Sequence, residues 1–232
     1  MKITVIGASG LIGTKVVALL REQGHEVVAA SRSSGVDVLT GAGLADALAG
    51  ADVLVDVSNS PNRAGGPAME FFSTSTPHLL AAAGEAGVDH YVALSIVGSD
   101  ALPDSKYMRA KATQETLIRE SGLPYSIVRA TQFTEFGEAI VDSMTSGEEI
   151  RVPDALIQPI PSDQVAAAVA QAAVTQPING YVNVGGPQKI TFEQLARDVL
   201  ARKGDSGKTV VVDPATRYFG TALTRSSLVM PD

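Results

Sequence analysis

Apolar runs rich in Val and Ile recur along the chain at ITVI (3–6), EVVAA (26–30), DVLVDV (52–57), HYVALSIV (90–97), YSIVR (125–129) and YVNV (181–184). Each is too continuous for a strand with one wet face, so the pattern predicts a parallel sheet covered on both sides. Between these runs the apolar spacing lengthens to that of helices over 11–23, 43–49, 67–87, 105–121, 133–146 and 162–174, and again over 191–203. Strands alternating with helices in this way predict a doubly wound α/β sheet. Pro77 lies inside the third helical stretch and predicts a kink or a restart there, with Ser75 or Thr76 capping the second piece.

The rhythm breaks after residue 147, where Pro153, Pro159 and Pro161 fall within a short span. Two units are therefore expected: a sheet domain over 1–147 and a small lobe over 148–232, with strand 181–184 returning to the sheet. The lobe is expected over the carboxyl edge of the sheet, which is where open α/β sheets bind their ligands.

Composition narrows the choice of partners. The 232 residues are 45% apolar and 19% charged, ample for a packed core, and the formal net charge of −7 comes without a basic run that could replace phosphate counterions. Nucleic acid is thus not an expected partner. Without cysteine there are no disulfides and no thiolate chemistry, and His25, His78 and His90 are too scattered in sequence for a metal cluster. No apolar run is long enough for a membrane span or a signal peptide, so a cytoplasmic monomer or homodimer acting on a small molecule is expected.

Directly after the first strand comes GASGLIG, with Gly7, Gly10 and Gly13, and then a helix beginning near Leu11. Glycines at this spacing allow a tight turn, a close backbone approach to a pyrophosphate and close packing of helix on strand, while the helix amino terminus offers N–H groups to the anion. The reading is a Rossmann-type dinucleotide site, with Gly7, Ser9, Gly10, Leu11, Ile12 and Gly13 holding the phosphates. Where an NAD site places an acidic residue, at the end of the second strand, this chain has SRSS (31–34). Ser31 and Arg32 suit a 2′-phosphate, which selects NADP (NADPH) as cofactor. Asp37 is a candidate to accept from the adenine amino group or, equally, a residue that caps its own turn. The loop beginning Ser58-Asn59 should pass the inner ribose and the nicotinamide.

Residues 107–111 read YMRAK. With Tyr107 at 0° on a helical wheel of about 100° per residue, Lys111 falls at about 40°, Gln114 at about −20° and Ile118 at about 20°, so the lysine shares the inward stripe. Ser95 ends the strand HYVALS and can emerge at the same carboxyl edge. At these motifs the chain resembles the short-chain dehydrogenase/reductase superfamily, and within it the atypical NmrA-like branch. The likeness runs through GASGLIG, LSIVG, YMRAK, IVRATQF and YVNVGGPQKITFEQLA. It implies Tyr107 as acid/base, Lys111 as the group that holds the nicotinamide ribose and tunes the phenol, and Ser95 as the group that orients a substrate carbonyl. Two departures stand beside it: DVSNSPN replaces the Asn-Asn-Ala-Gly segment of the original subgroup, and the lobe is short for a nucleotide sugar.

Phe133 and Phe136 follow YSIVR at once, and Met69, Phe71 and Phe72 come from the helix after DVSNSPN. Of these, Phe133, Phe136 and Met69 are the expected lining of an apolar pocket for a small carbonyl compound or a quinone. The expected function is NADP-dependent hydride transfer with Tyr107 as acid/base. The alternative is a non-catalytic NADP-binding redox sensor that acts through a partner protein.

Overall fold

The computed structural model describes residues 1–61 and 65–231. In chain order the first half contains β1 (Lys2–Ile6), α1 (Leu11–Glu22), β2 (Glu26–Ala30), α2 (Leu44–Leu48), β3 (Val53–Asp56), α3 (Gly65–Ala86), β4 (His90–Ile96) and α4 (Lys106–Glu120). Next come β5 (Tyr125–Ala130), α5 (Gly137–Asp142), β6 (Thr145–Ser146), β7 (Glu149–Val152) and β8 (Leu156–Ile157). The chain then runs through α6 (Ser162–Ala173), β9 (Gly180–Val184), β10 (Ile190–Thr191), α7 (Phe192–Lys203) and β11 (Thr209–Val212).

Six strands form one sheet in the order β2-β1-β3-β4-β5-β9, every pairing parallel. This is the doubly wound Rossmann-type α/β fold. Alternate residues of each strand face opposite layers. Ile3, Val5, Val55 and Val128 pack with Val16, Leu20, Val165 and Val169 under α1 and α6, while Leu54, Tyr91 and Ile127 pack with Leu48, Leu79 and Ile118 under α2, α3 and α4. Strand order reverses between β1 and β3, so their carboxyl ends diverge into a crevice.

Beyond β5 the chain builds a smaller assembly over that edge. β6, β7 and β11 form a three-stranded sheet, β8 pairs antiparallel with β10, and Met108, Ile140, Ile150, Ile157, Phe192, Leu195 and Leu228 form their common core. α6, although it lies in the second half of the chain, packs with α1 against the main sheet.

Two local expectations fail. α3 runs unbroken through Pro77, and Thr76 makes no hydrogen bond that would mark a restart. Phe72, Leu79 and Ala83 lie fully buried on either side of the proline, and that burial holds one helix across the missing N–H. The helix expected over 133–146 is cut to a 3-10 turn, Thr134–Phe136, and the six-residue α5. Phe133 is extended and bridges Ile160 at the amino end, and at the other end the Ser143 and Thr145 hydroxyls donate to Ile140 O and Val141 O before the chain turns at Gly147. Among the described residues no helix is long and apolar enough to cross a membrane.

Candidate functional site

A cleft of about 1120 Å³ opens along the carboxyl ends of β1, β3, β4 and β5, from Ser31 and Arg32 at one end to Phe133 and Phe136 at the other. At its centre the turn after β1 is held by Gly7 N and Ala8 N, which donate to Ala30 O at 3.0 and 3.1 Å. Gly7 has φ +82°, and a Cβ there would sit 2.9 Å from Ser58 N on the neighbouring β3 exit. On Gly13 a Cβ would meet Gly7 O at 2.1 Å, so only glycine lets α1 come this near to β1. Gly10 is the N-cap of α1 and offers no side chain, and the first turn carries no acidic residue. The first helical bond inside the cap is Thr14 N to Gly10 O, which leaves the N–H groups of Leu11, Ile12 and Gly13 at the helix terminus for an anion. Ser9, Gly10, Leu11 and Ile12 line the cleft with Gly7.

At the far end Ser31–Ser34 form a closed turn. Ser31 N donates to Ser34 Oγ at 2.9 Å, Ser34 N donates to Ser31 O at 3.0 Å, and the Ser31 and Ser33 hydroxyls pair at 2.8 Å. Arg32 is exposed beside it on the cleft rim. Asp37 lines the same end while its Oδ1 accepts from Leu39 N at 2.8 Å, so it caps its own turn. A dinucleotide fits this row of groups: backbone donors for a pyrophosphate at the centre, hydroxyls and a guanidinium at one end, and apolar walls at the other. Ser58, further along, turns inward and gives both N–H and Oγ–H to Asp56 Oδ1 at 2.9 and 2.6 Å.

Tyr107 and Lys111 leave the same face of α4, whose N-cap Ser105 accepts from Met108 N. The Tyr107 hydroxyl lies on the cleft wall and donates to Asn59 Oδ1 at 3.2 Å. Lys111 is 4% exposed. Its ammonium donates to Leu94 O at 2.8 Å and to Gln114 Oε1, and lies 4.3 Å from the centre of the Phe72 ring. Burial pushes the amine down to about 8, against the upward pull of Asp56 and Glu115. Asp56 Oδ2 in turn accepts from Gln114 Nε2 at 2.9 Å and from the Tyr91 hydroxyl at 3.1 Å. Burial, reinforced by Asp56, pushes the Tyr91 phenol well up, and Tyr91 is away from the cleft. Tyr107, by contrast, lines the cleft, as does Tyr218.

Ser95 reaches the cleft wall, but its hydroxyl proton goes to Glu115 Oε1 at 2.5 Å. Glu115 also accepts from Ser99 at 3.1 Å and from the Arg129 guanidinium, whose Nη2 lies 2.5 Å from Oε2. In this arrangement Ser95 offers a ligand lone pairs and no donor, which departs from the role that the resemblance implies.

Phe133 and Phe136 stack with ring centroids 5.4 Å apart on the cleft wall, and Tyr218 and Phe219 line the wall with them. Met69 does not line the cleft; it packs with Ala68, Phe71 and Phe72, and it is Phe71 that faces the opening. Two residues along α3 are about 200° of rotation, which sets Met69 and Phe71 on opposite sides of the helix.

A profile of the NAD(P)H-binding family matches residues 7–176, from the glycine turn to just beyond α6. The chain belongs to the NAD(P)H-binding family. The resemblance read from the motifs is thereby borne out. This NAD(P)H-binding chain is 29% identical over 222 residues to the chloroplastic divinyl chlorophyllide a 8-vinyl-reductase of Zea mays, covering 81% of the chain and 55% of that protein. It is 27% identical over 147 residues to the photosystem II assembly factor Ycf39 of Cyanophora paradoxa, covering 57% of the chain and 46% of that protein. The chain thus spans about half the length of these curated relatives.

Solved structures repeat the fold. MoeE5 in complex with UDP-glucose and NAD superposes with TM-score 0.73 at 19% identity, covering 98% of this chain and 91% of that one. The structure of gox2253 gives 0.69 at 25% identity over 90% and 77%. Triphenylmethane reductase of Citrobacter sp., complexed with NADP(H), gives 0.67 at 21% over 93% and 80%.

In this NAD(P)H-binding fold three residues of the site take no role of their own from the sequence, although the loop beginning Ser58-Asn59 is expected at the cleft. Asn59 meets Tyr107 across 48 positions, Glu115 captures Ser95, and Gln132 lies in the cleft wall after β5. Only the inward phase of α4 gave a hint of the second.

Proposed function

We propose that the protein is an NADP-dependent oxidoreductase that transfers hydride to a small apolar carbonyl compound or quinone, with Tyr107 as the acid. The observation that carries this reading is a phenol on the wall of the cofactor cleft with a buried cation one helical turn behind it. Bound NADPH supplies the hydride. The chain's own part is to hold the cofactor along the glycine turn and the Ser31-Arg32 rim, to present an apolar wall of Phe133 and Phe136 to the substrate, and to give a proton from the Tyr107 hydroxyl to the developing alkoxide. Asn59, which receives that proton's hydrogen bond in the ligand-free cleft, orients the hydroxyl until a substrate oxygen replaces it. Two similar proteins, a vinyl reductase and a triphenylmethane reductase, support a reductase over a cofactor-holding scaffold.

Tyr107→Phe tests the reading because it keeps the ring and removes the acid. Turnover of a carbonyl substrate should fall about 10²- to 10⁴-fold while NADPH affinity stays within about 2-fold. Undiminished turnover would exclude Tyr107 as the acid and leave direct hydride transfer to a quinone. The absence of any turnover, together with a partner protein whose binding depends on NADPH, would favour the sensor.

A further inference from the structure

Gln132 sits two residues beyond β5, between Thr131 and Phe133 on the cleft wall, and is 6% exposed. Its main chain is pinned: Gln132 O accepts from Ile160 N at 2.9 Å, and the adjoining Thr131 N donates to Val184 O at 3.0 Å. Yet neither Oε1 nor Nε2 of its side chain has a hydrogen-bond partner. The two other buried glutamines have both ends filled. Gln114 accepts from Lys111 and donates to Asp56, and Gln158 donates to Gly186 O at 2.7 Å and accepts from Met230 N at 2.9 Å. Among the three buried glutamines, the one with an unfilled amide is thus the one in the wall of the ligand cleft. A buried amide open at both ends is destabilising in the empty protein.

The site has a use for it. The proton of Ser95 is given to Glu115, so Ser95 offers no donor to a ligand carbonyl that reaches this wall. We propose that Gln132 is the second hydrogen-bonding anchor of the cleft, its Nε2 donating to a carbonyl oxygen of a bound ligand and its Oε1 accepting where that ligand carries an N–H. The terminal torsion of glutamine is broad, so the amide turns to such a group with its main chain fixed. Two groups have this chemistry: the carboxamide of the nicotinamide ring, which follows from NAD(P)H binding, and the carbonyl of a substrate, which rests on the reductase reading above.

Gln132→Met keeps the length of the side chain and removes both polar atoms. The ligand-free variant should melt about 2–8 °C above the wild type, because an unsatisfied amide has gone. Its affinity for NADP⁺ by calorimetry, or for menadione by fluorescence quenching of the NADP⁺ complex, should fall about 2- to 13-fold, the equivalent of one neutral hydrogen bond. A loss at NADP⁺ assigns the anchor to the carboxamide, and a loss confined to menadione assigns it to the substrate carbonyl. Gln132→Asn, which draws the amide back by one methylene, should lose the same affinity and provides a second variant if the first folds poorly. A lower melting temperature in Gln132→Met, or unchanged affinity for both ligands in either variant, would overturn the proposal. No arm reads turnover, so a protein that reduces nothing with NADPH fails the reductase reading and leaves this comparison intact.

Discussion

Lys111 should leave a measurable signature in the pH dependence of stability, and Lys111→Met removes it. Burial lowers the amine from 10.5 to about 8, with Asp56 and Glu115 opposing the drop. A lysine in the unfolded chain holds its proton to a pH of about 10.4. Below about pH 8 both states are protonated and Lys111 adds no slope. Between about 8 and 10.4 the unfolded chain binds more protons than the folded one, so stability rises with pH, by about 3 kcal/mol in all. The residue is 4% exposed, so solvent screening takes little from that figure. Urea melts followed by circular dichroism at half-unit steps from pH 7 to 10.5 give the two curves, and their difference cancels the other lysines and the tyrosines. Leu94 O and Gln114 Oε1 lose a donor in the variant, which offsets the curves by a constant without changing their slopes. The wild type should gain on Lys111→Met by about 3 kcal/mol across the upper range. Parallel curves would mean that the ammonium is not desolvated, and the argument that a costly buried cation is retained for the cofactor and the phenol would go with it.

Three further outcomes follow from the cleft. Arg32→Ala with Ser31→Asp should abolish or reverse a preference for NADP over NAD of about 13- to 150-fold, the worth of one charge-assisted contact, and titration calorimetry of the native protein with both cofactors checks the starting value. Gly13→Ala puts a methyl 2.1 Å from Gly7 O, two backbone-fixed positions, so α1 must move off β1; cofactor affinity should fall by about 10-fold or more together with the melting temperature. Phe133→Ala, which removes one ring of the stacked pair, should raise KM for a quinone while NADPH affinity holds within a few-fold; a cofactor-bound structure with both rings remote from the nicotinamide would refute that assignment.

The sheet was legible because strands buried on both faces carry their own label: all six runs fall on strands, with ends displaced by at most one residue. The glycine turn was legible because position, spacing and flanking elements agree, and the Tyr107–Lys111 face because four residues on a helix fix direction whatever surrounds them. What escaped depends on contacts between distant segments. The pairing of Ser95 with Glu115 and Arg129 needs the register that sets Ser95 beside Arg129 on β4 and β5. The lobe sheet joins β7 to β11 across nearly sixty residues, through strands of two to four residues too short to show a period. Pro77 reads as a break because local propensity says so, and the burial of Phe72 and Leu79 overrides it.

α4 shows how chemistry and fold share one element. Its buried face carries Lys111, Gln114 and Glu115 beside Met108, Ala110 and Ile118, a mixture that hydrophobic patterning alone would place half in water. The layer beneath the cleft tolerates it because the groups answer one another: carboxylates Asp56 and Glu115, cations Lys111 and Arg129, and Gln114 joining the first to the third. Opposite charges in equal number, each hydrogen-bonded, remove most of the reason for a buried charge to be expelled. The arrangement also determines which groups are left for a ligand. Ser95 and Ser58 are drawn inward onto the two carboxylates, while the Tyr107 hydroxyl and its Asn59 partner stay on the cleft wall and, on the proposal above, the Gln132 amide turns to a bound ligand. Stability of the polar layer and selection of the reacting donor are thus consequences of the same hydrogen bonds.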